Sequence, residues 1–565
     1  MNKIHSYKSL VVLAMTTLII TSCKKSFLEK PPTDAIVDAN FYKTDEQVMA
    51  STALLYSKVW FDYNDKASYN LGDFRGGTAY SAYNDRGNVL FNTTENTPEN
   101  GAAWRAFFNV VGQSNAAIYN INKYAGSDVS PVVKKTAIAE ARYMRALAYR
   151  YLVMNWGEVP VIESNVALLN DNNSIHKNTV KSIWRFMTRE MRAVAEDLPL
   201  VPSKAGRLTK WSAEGMLARF YLTRAGVEAS GTTRNQAFLD SAKYYAQRVI
   251  VNSGRSLLNN YADLFKYPYD NNAESLFELQ WVFLPGNSGY GVGNSTPSYL
   301  NYSPDISVEG WGGDKGATWW VLSQYEGIAA SGDTMLQGRT VDQRLKATYM
   351  LPGAYYPEIT QTTNGVTQKL IFPYVNQDVN FASIKKYVVG KAVDLGIPVE
   401  AQRYPNNTYM QRLAEMYLIY AEATLGNSAS TTDALALEYF NKVRGRAGLS
   451  PLADGLGVPR PVTLDDILKE RFIEFAMEGM SWYDMVNIHY YNPAKAYAIL
   501  NSQDRGYFKV IPDVFPNPTQ WTFKKTPWAN NDRKINANSG NFLLPIPAQE
   551  KSQAPNLSQP AVEYP

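Results

Sequence analysis

Cysteine is nearly absent from this chain: one thiol, Cys23, serves 565 residues. A single cysteine excludes any internal disulfide and any thiolate metal site, so the fold must be held by its core. Histidine is almost as scarce, limited to His5, His176 and His489. That excludes a Cys/His nucleophile pair beyond the leader, leaves too few ligands for a His-rich zinc site, and gives a Ser/His/Asp triad two candidate bases with no G-x-S-x-G elbow to serve. Long runs of one charge are missing as well. Lys and Arg number 56 against 52 Asp and Glu, a formal charge of +4, which offers nucleic acid no basic surface. No complete Walker or dinucleotide fingerprint occurs, so no cofactor is expected. The uncharged run at residues 10–20 falls short of the roughly 20 residues a membrane-spanning helix needs.

What is present begins with that run. Lys3 and Lys8 precede it, small Thr21 and Ser22 follow it, and Cys23 comes next. This is the layout of a secretory signal peptide over residues 1–22, ending at a site that resembles a bacterial lipobox. Cys23 is therefore expected to become the lipidated first residue and the membrane anchor, with KKSFLEKPP as a tether. Aromatic residues make up 13% of the chain, with 38 tyrosines and 12 tryptophans, while charged residues make up only 19%. An exported chain of this kind has the ingredients of carbohydrate recognition, because sugar rings offer C–H faces to aromatic rings and hydroxyls to amides.

Periodicity predicts a largely helical N-terminal part. Thr44 and Gln47 form a capping box, and Met49, Ala53, Tyr56 and Trp60 then recur at helical spacing. Apolar faces mark further helices at 137–152, 183–198 (stopped by Pro199), around 216–221 and at 239–250. The first long loop is read at 73–88, with Gly76-Gly77 as breaker. From Glu274, ESLFELQWVF reads as a strand, followed by an irregular stretch rich in Gly, Asn, Ser and Tyr that ends at GWGGDKGATWW. So long an irregular segment inside a compact domain is usually functional. Helices return at 413–420 and 436–443 as an αα-hairpin.

Seven stretches carry a resemblance. They are CKKSFLEKPP, EARYMRALAYRYLVMNWGEVPVI from Glu140, GRLTKWSAEGMLARFYL from Gly206, RLAEMYLIYAEA from Arg412, ALEYFNKVRGRAGL from Ala436, ERFIEFAMEGMSWYDM from Glu470, and NFLLPIPAQE from Asn541. In this order they resemble the SusD-like (RagB/SusD) outer-membrane nutrient-binding lipoproteins of Bacteroidetes-type bacteria. The resemblance implies a mainly α fold in which tetratricopeptide-like helix pairs pack against an irregular, loop-rich ligand-binding side. It places residues 23–270 in an N-terminal region and 271–565 in a C-terminal one, packed as one unit. It also implies a non-catalytic protein that binds a glycan, or in some members a peptide, and delivers it to a SusC-like TonB-dependent transporter. Two departures are visible: Met480-Ser481 where the family often has Arg, and Lys24-Lys25-Ser26 where an acidic run often directs such lipoproteins to the cell surface. Outer-membrane anchoring with surface exposure remains the expected location.

Candidate ligand residues follow from loop placement and chemistry: Asp73, Arg75, Tyr80, Tyr83 and Asn84 in the first loop, and Tyr290, Tyr302, Trp311, Trp319 and Trp320 in the second. Flat rings would stack on pyranoses while Asp, Arg and Asn bond the hydroxyls. Trp311, between glycines, is expected to present an open face, and at least one of Trp319 and Trp320 to be buried. The competing reading is a surface glycoside hydrolase, which needs two carboxylates. Glu470, Glu474 and Glu478 stand four apart, about 5–6 Å between neighbouring Cβ atoms on a helix, compatible with a retaining pair.

Overall fold

The computed structural model describes residues 41–82, 86–170, 175–373, 382–526 and 533–565. The signal segment, Cys23, Tyr83 and Asn84 lie outside these residues.

Thr44 opens the first helix, α1 (Asp45–Ser51), through the predicted capping box: its hydroxyl accepts from the Gln47 amide and the Gln47 side chain accepts from the Thr44 amide. The helix does not run on to Trp60 as the spacing predicts. It breaks into 3₁₀ turns at Ala53–Tyr56 and Lys58–Trp60, then winds into wider π-type turns at Tyr63–Ala67 and Asn70–Phe74. Such π-turns are rare and occur frequently at functional sites.

Six long helices follow: α2 (Pro98–Tyr124), α3 (Pro131–Trp156), α4 (Val180–Asp197), α5 (Lys210–Val227), α6 (Gln236–Asn252) and, much later, α7 (Leu413–Leu425). Each packs on the next, and α7 is followed by its hairpin partner α8 (Ala434–Arg446). The antiparallel stack leaves little of α3 wet. Residues 143–156 are all buried, because α2 and α4 flank the helix. Ion pairs staple the layers. Arg142 and Arg145 of α3 hold Glu190 of α4, and Arg219 of α5 holds Glu415 of α7.

The other side is built from short strands. The predicted strand is β2 (Ser275–Leu279), paired antiparallel with Thr408–Arg412. The strand β1 (Ala79–Ser81) pairs with β3 (Lys315–Ala317) in a four-stranded sheet completed by Ser383–Ile384 and Tyr349–Met350. A second four-stranded sheet joins Phe508–Pro512, Trp521–Lys525, Met335–Gly338 and Ile328–Ala330. Phe74, Tyr80, Trp319, Phe508 and Phe523 share a core beneath these sheets, separate from the larger helical core.

Candidate functional site

The two segments singled out from the sequence meet in space. Pairing of β1 with β3 sets Tyr80 opposite Gly316, and the Ala82 amide donates to the Asp314 carbonyl at 2.9 Å. A buried cluster of amides fixes the second segment to the π-turns. Asn64 donates to Asn294 Oδ1 at 2.8 Å and accepts from the Thr408 hydroxyl at 2.7 Å, while Asn294 donates to the Asn406 carbonyl at 2.7 Å. Buried amides without partners are costly, so this set holds the segment in one place.

Trp311 sits near its end, 40% exposed, with its ring 5.0 Å from that of Tyr299. Its amide donates to the Ser298 carbonyl at 3.1 Å, and its own carbonyl accepts from Lys315 Nζ at 3.0 Å. The flanking glycines do more than leave the ring open. A Cβ at Gly312 would lie 2.3 Å from the Leu300 carbonyl carbon, and one at Gly310 would lie 2.5 Å from the Pro304 nitrogen, so close backbone crossing requires both. Lys66 Nζ lies 5.3 Å from the Tyr299 ring, so the aromatic pair carries a cation at one edge.

Tyr290 is 56% exposed, its ring 5.0 Å from Phe61. Partial burial, together with the carboxylates of Asp65 and Asp62, pushes its phenol above the usual range. The same Asp62, Asp65 and Lys66 line a cleft of 370 Å³ whose far wall is Glu99 and Arg105 from the first turns of α2. The side chains of Asp62, Lys66, Glu99 and Arg105 make no hydrogen bond or ion pair among the described residues. Lys66 thus links the Trp311–Tyr299 pair to this charged cleft, and Asp62 and Asp65 of the same cleft act on the Tyr290 phenol.

The remaining predicted residues are placed differently, and four need correction. Asp73 is fully buried: its carboxylate accepts from the Met477 amide at 2.7 Å, the Gly479 amide at 2.8 Å and the Thr78 hydroxyl at 2.8 Å. Burial raises its pKa to about 6 against these bonds. Arg75 is buried too, donating to the carbonyls of Asn541 and Phe542 and lying over the Phe91 and Trp482 rings; burial lowers it to about 9. Tyr80 packs on Tyr507, and Trp319 on Phe508. Asp73, Arg75 and Tyr80 face the core because the segment read as a loop is wound into a π-turn and a strand, and Trp319 does so because it opens a short buried helix, Trp319–Leu322. Tyr302 and Trp320 are half-buried, packed on Phe372 and Phe472.

Sequence reasoning missed Tyr299, Lys66 and the acids at 62 and 65. The polar run Asp62-Tyr63-Asn64-Asp65, where a helix was read to end, was the available signal.

The three glutamates of the hydrolase reading are enclosed. Glu474, at the end of α9 (Leu464–Glu474), pairs with Arg344 at 3.0 Å, with Arg412 at 2.5 Å and with Arg446. Glu478 accepts from Arg412 and from Lys386, and Glu470 from Arg344. Burial alone would raise Glu474, but Arg446, Arg412 and Arg344 together hold it well below the usual carboxylate range. Burial leaves Lys386 at about 8 despite Glu478. A carboxyl clamped by three buried guanidiniums meets no sugar, so this constellation is a structural hub.

Comparison with known proteins matches residues 273–564 to the SusD family, and residues 27–222 to a family described as "Starch-binding associating with outer membrane". A SusD-like protein of Bacteroides ovatus is 36% identical across 100% of this chain and 99% of its own length. A SusD-like protein of Formosa agariphila is 27% identical over 85% of this chain and 90% of its own. A crystal structure with xylogluco-oligosaccharide is 33% identical, covering 92% of this chain and 99% of that one with a TM-score of 0.78. A laminarin-binding SusD-like protein, 21% identical over 91% of this chain and 98% of its own, shares the fold with a TM-score of 0.63. On the match over residues 273–564 and a relative 36% identical along the whole chain, the chain belongs to the SusD family.

Proposed function

We propose that this protein binds a glycan across Trp311, Tyr299 and Tyr290 and presents it to a SusC-like TonB-dependent transporter, without chemistry of its own. The observation that carries the reading is the exposure of Trp311 and Tyr290 on a segment pinned by buried amides, in a fold that buries Trp60, Trp184 and Trp482 completely. Exposed rings held rigid lose little entropy on stacking against a sugar. The xylogluco-oligosaccharide complex of a relative 33% identical supports a β-glucan-type ligand. The lipobox at Cys23 and the outer-membrane description of the matched family support an anchored position in that membrane.

Calorimetric titration of the chain lacking residues 1–23 with xylogluco-oligosaccharide tests the ligand. Saturable binding lost in Trp311→Ala supports the site, whereas a peptide that binds when no glycan does would replace the ligand class. New reducing ends after prolonged incubation would overturn the non-catalytic reading. Co-purification of a TonB-dependent transporter with the lipidated protein from outer membranes tests the partner.

A further inference from the structure

The cleft at Lys66 adjoins the aromatic surface without being part of it. Lys66 is shared: its ammonium lies 5.3 Å from the Tyr299 ring and also lines the cleft with Asp62, Asp65, Asn70, Glu99 and Arg105. A volume of 370 Å³ falls within the roughly 300–1,000 Å³ of small-molecule sites. Two features set its chemistry. First, carboxylates can only accept hydrogen bonds and ammonium or guanidinium groups can only donate them, and here the Asp62 and Glu99 carboxylates and the Lys66 and Arg105 cations stand around one space with no side-chain hydrogen bond or ion pair among the described residues. A sugar hydroxyl does both, so a ring bearing several hydroxyls satisfies such a lining better than an ion of either sign. Second, three acids face two bases, which gives an anionic sugar no net attraction.

We propose that this cleft is a branch site: while the glycan backbone lies along Trp311 and Tyr299, a neutral sugar substituent leaving that backbone enters the cleft and is read by Glu99, Arg105, Asp62 and Lys66. The inference rests on the aromatic surface being the backbone site. Its consequence is selectivity for branched over unbranched chains of equal backbone length, set by the cleft and not by the rings.

The test uses two probes, a xylogluco-oligosaccharide and the unbranched cello-oligosaccharide of the same backbone length, titrated into the chain lacking residues 1–23. Glu99→Ala combined with Arg105→Ala removes two polar side chains, and Ala102→Phe, at an exposed position on the cleft wall, fills the space without touching polar groups. Each is expected to weaken the branched ligand by about 2- to 10-fold, the worth of a hydrogen bond or so, and to leave the unbranched one unchanged. Equal weakening of both ligands, or of neither, overturns the branch site while Trp311→Ala still weakens both. If Trp311→Ala leaves both affinities intact, the backbone site falls and the branch site falls with it. Tighter binding of a uronic-acid-branched chain than of the neutral one would also overturn the proposal.

Discussion

Around Glu474 and around Lys66 the same residue types are arranged in opposite ways. At Glu474, Arg344, Arg412 and Arg446 converge on carboxylates with side chains no more than 3% exposed, and Glu274, Glu470 and Glu478 share the same cations. At Lys66, the side chains of Asp62, Lys66, Glu99 and Arg105 line one cleft and make no ion pair with one another among the described residues. Buried charges must be paired or hydrogen-bonded because an isolated one costs several kcal/mol to desolvate; exposed ones need no partner. Charge density alone therefore does not mark a site in this molecule. What separates a hub from a binding surface is whether the hydrogen-bonding capacity is already spent within the chain.

The sharpest way to break the comparison is to remove one charge from each side. Glu474→Gln leaves three buried arginines short of a counter-charge and should destabilise the protein by about 3–5 kcal/mol, read as a lowered denaturant midpoint. A loss below about 1 kcal/mol would mean the hub is not the structural centre described.

Asp73 supplies the next test, since it is a buried acid held by amides and a hydroxyl, with no ion pair among the described residues. Its folded value, about 6, stands above its ordinary 3.8, so the folded state binds the proton more tightly than the unfolded chain. Its contribution is full below about pH 4 and is lost as pH rises through 6, a change of roughly 3 kcal/mol that Asp73→Asn should abolish. Parallel pH–stability curves for the two proteins between pH 4 and 7 would refute this.

On the open side, Trp311→Ala should weaken glycan binding by about 2 kcal/mol, roughly thirtyfold, as an aromatic anchor does, while the melting temperature stays put. The smallest effect is expected for Glu99→Gln. Glu99 lies in the first turn of α2, where its loss removes only an interaction with the helix terminus, so stability should change by less than about 1 kcal/mol. A large loss at Glu99 would place the cleft among the structural charges.

The same contrast explains what could be read in advance. Helices α3 to α6 and the α7–α8 hairpin were legible because their apolar residues repeat at helical spacing on a face that the neighbouring helix covers. Helix α2 was not read. Its sequence carries Gly101, Gly112 and several asparagines of low helix propensity, and tertiary contacts override them: Asn100 donates to the Pro545 carbonyl and accepts from the Trp156 indole. Residues 73–80 failed for the opposite reason. Glycine there reads as loop, yet a Cβ at Gly76 would lie 2.5 Å from the Trp482 amide nitrogen, so the local glycine records close packing against the chain around residue 482 and not exposure. Trp311 and Tyr290 were legible as exposed aromatics from composition and loop placement. Lys66 and Glu99 were not, because their meeting depends on how the turns after Trp60 approach α2, and no local pattern encodes that distance.

The amide cluster at Asn64, Asn294, Asn406 and Thr408 reaches beyond structure into kinetics. Since the segment bearing the rings is ordered by contacts that involve no ligand, its conformational entropy is surrendered when the chain folds and not when a sugar arrives. Free and occupied forms should superpose closely, association should proceed in one step without a slow rearrangement phase, and affinity differences between glycans should reside in how fast each departs.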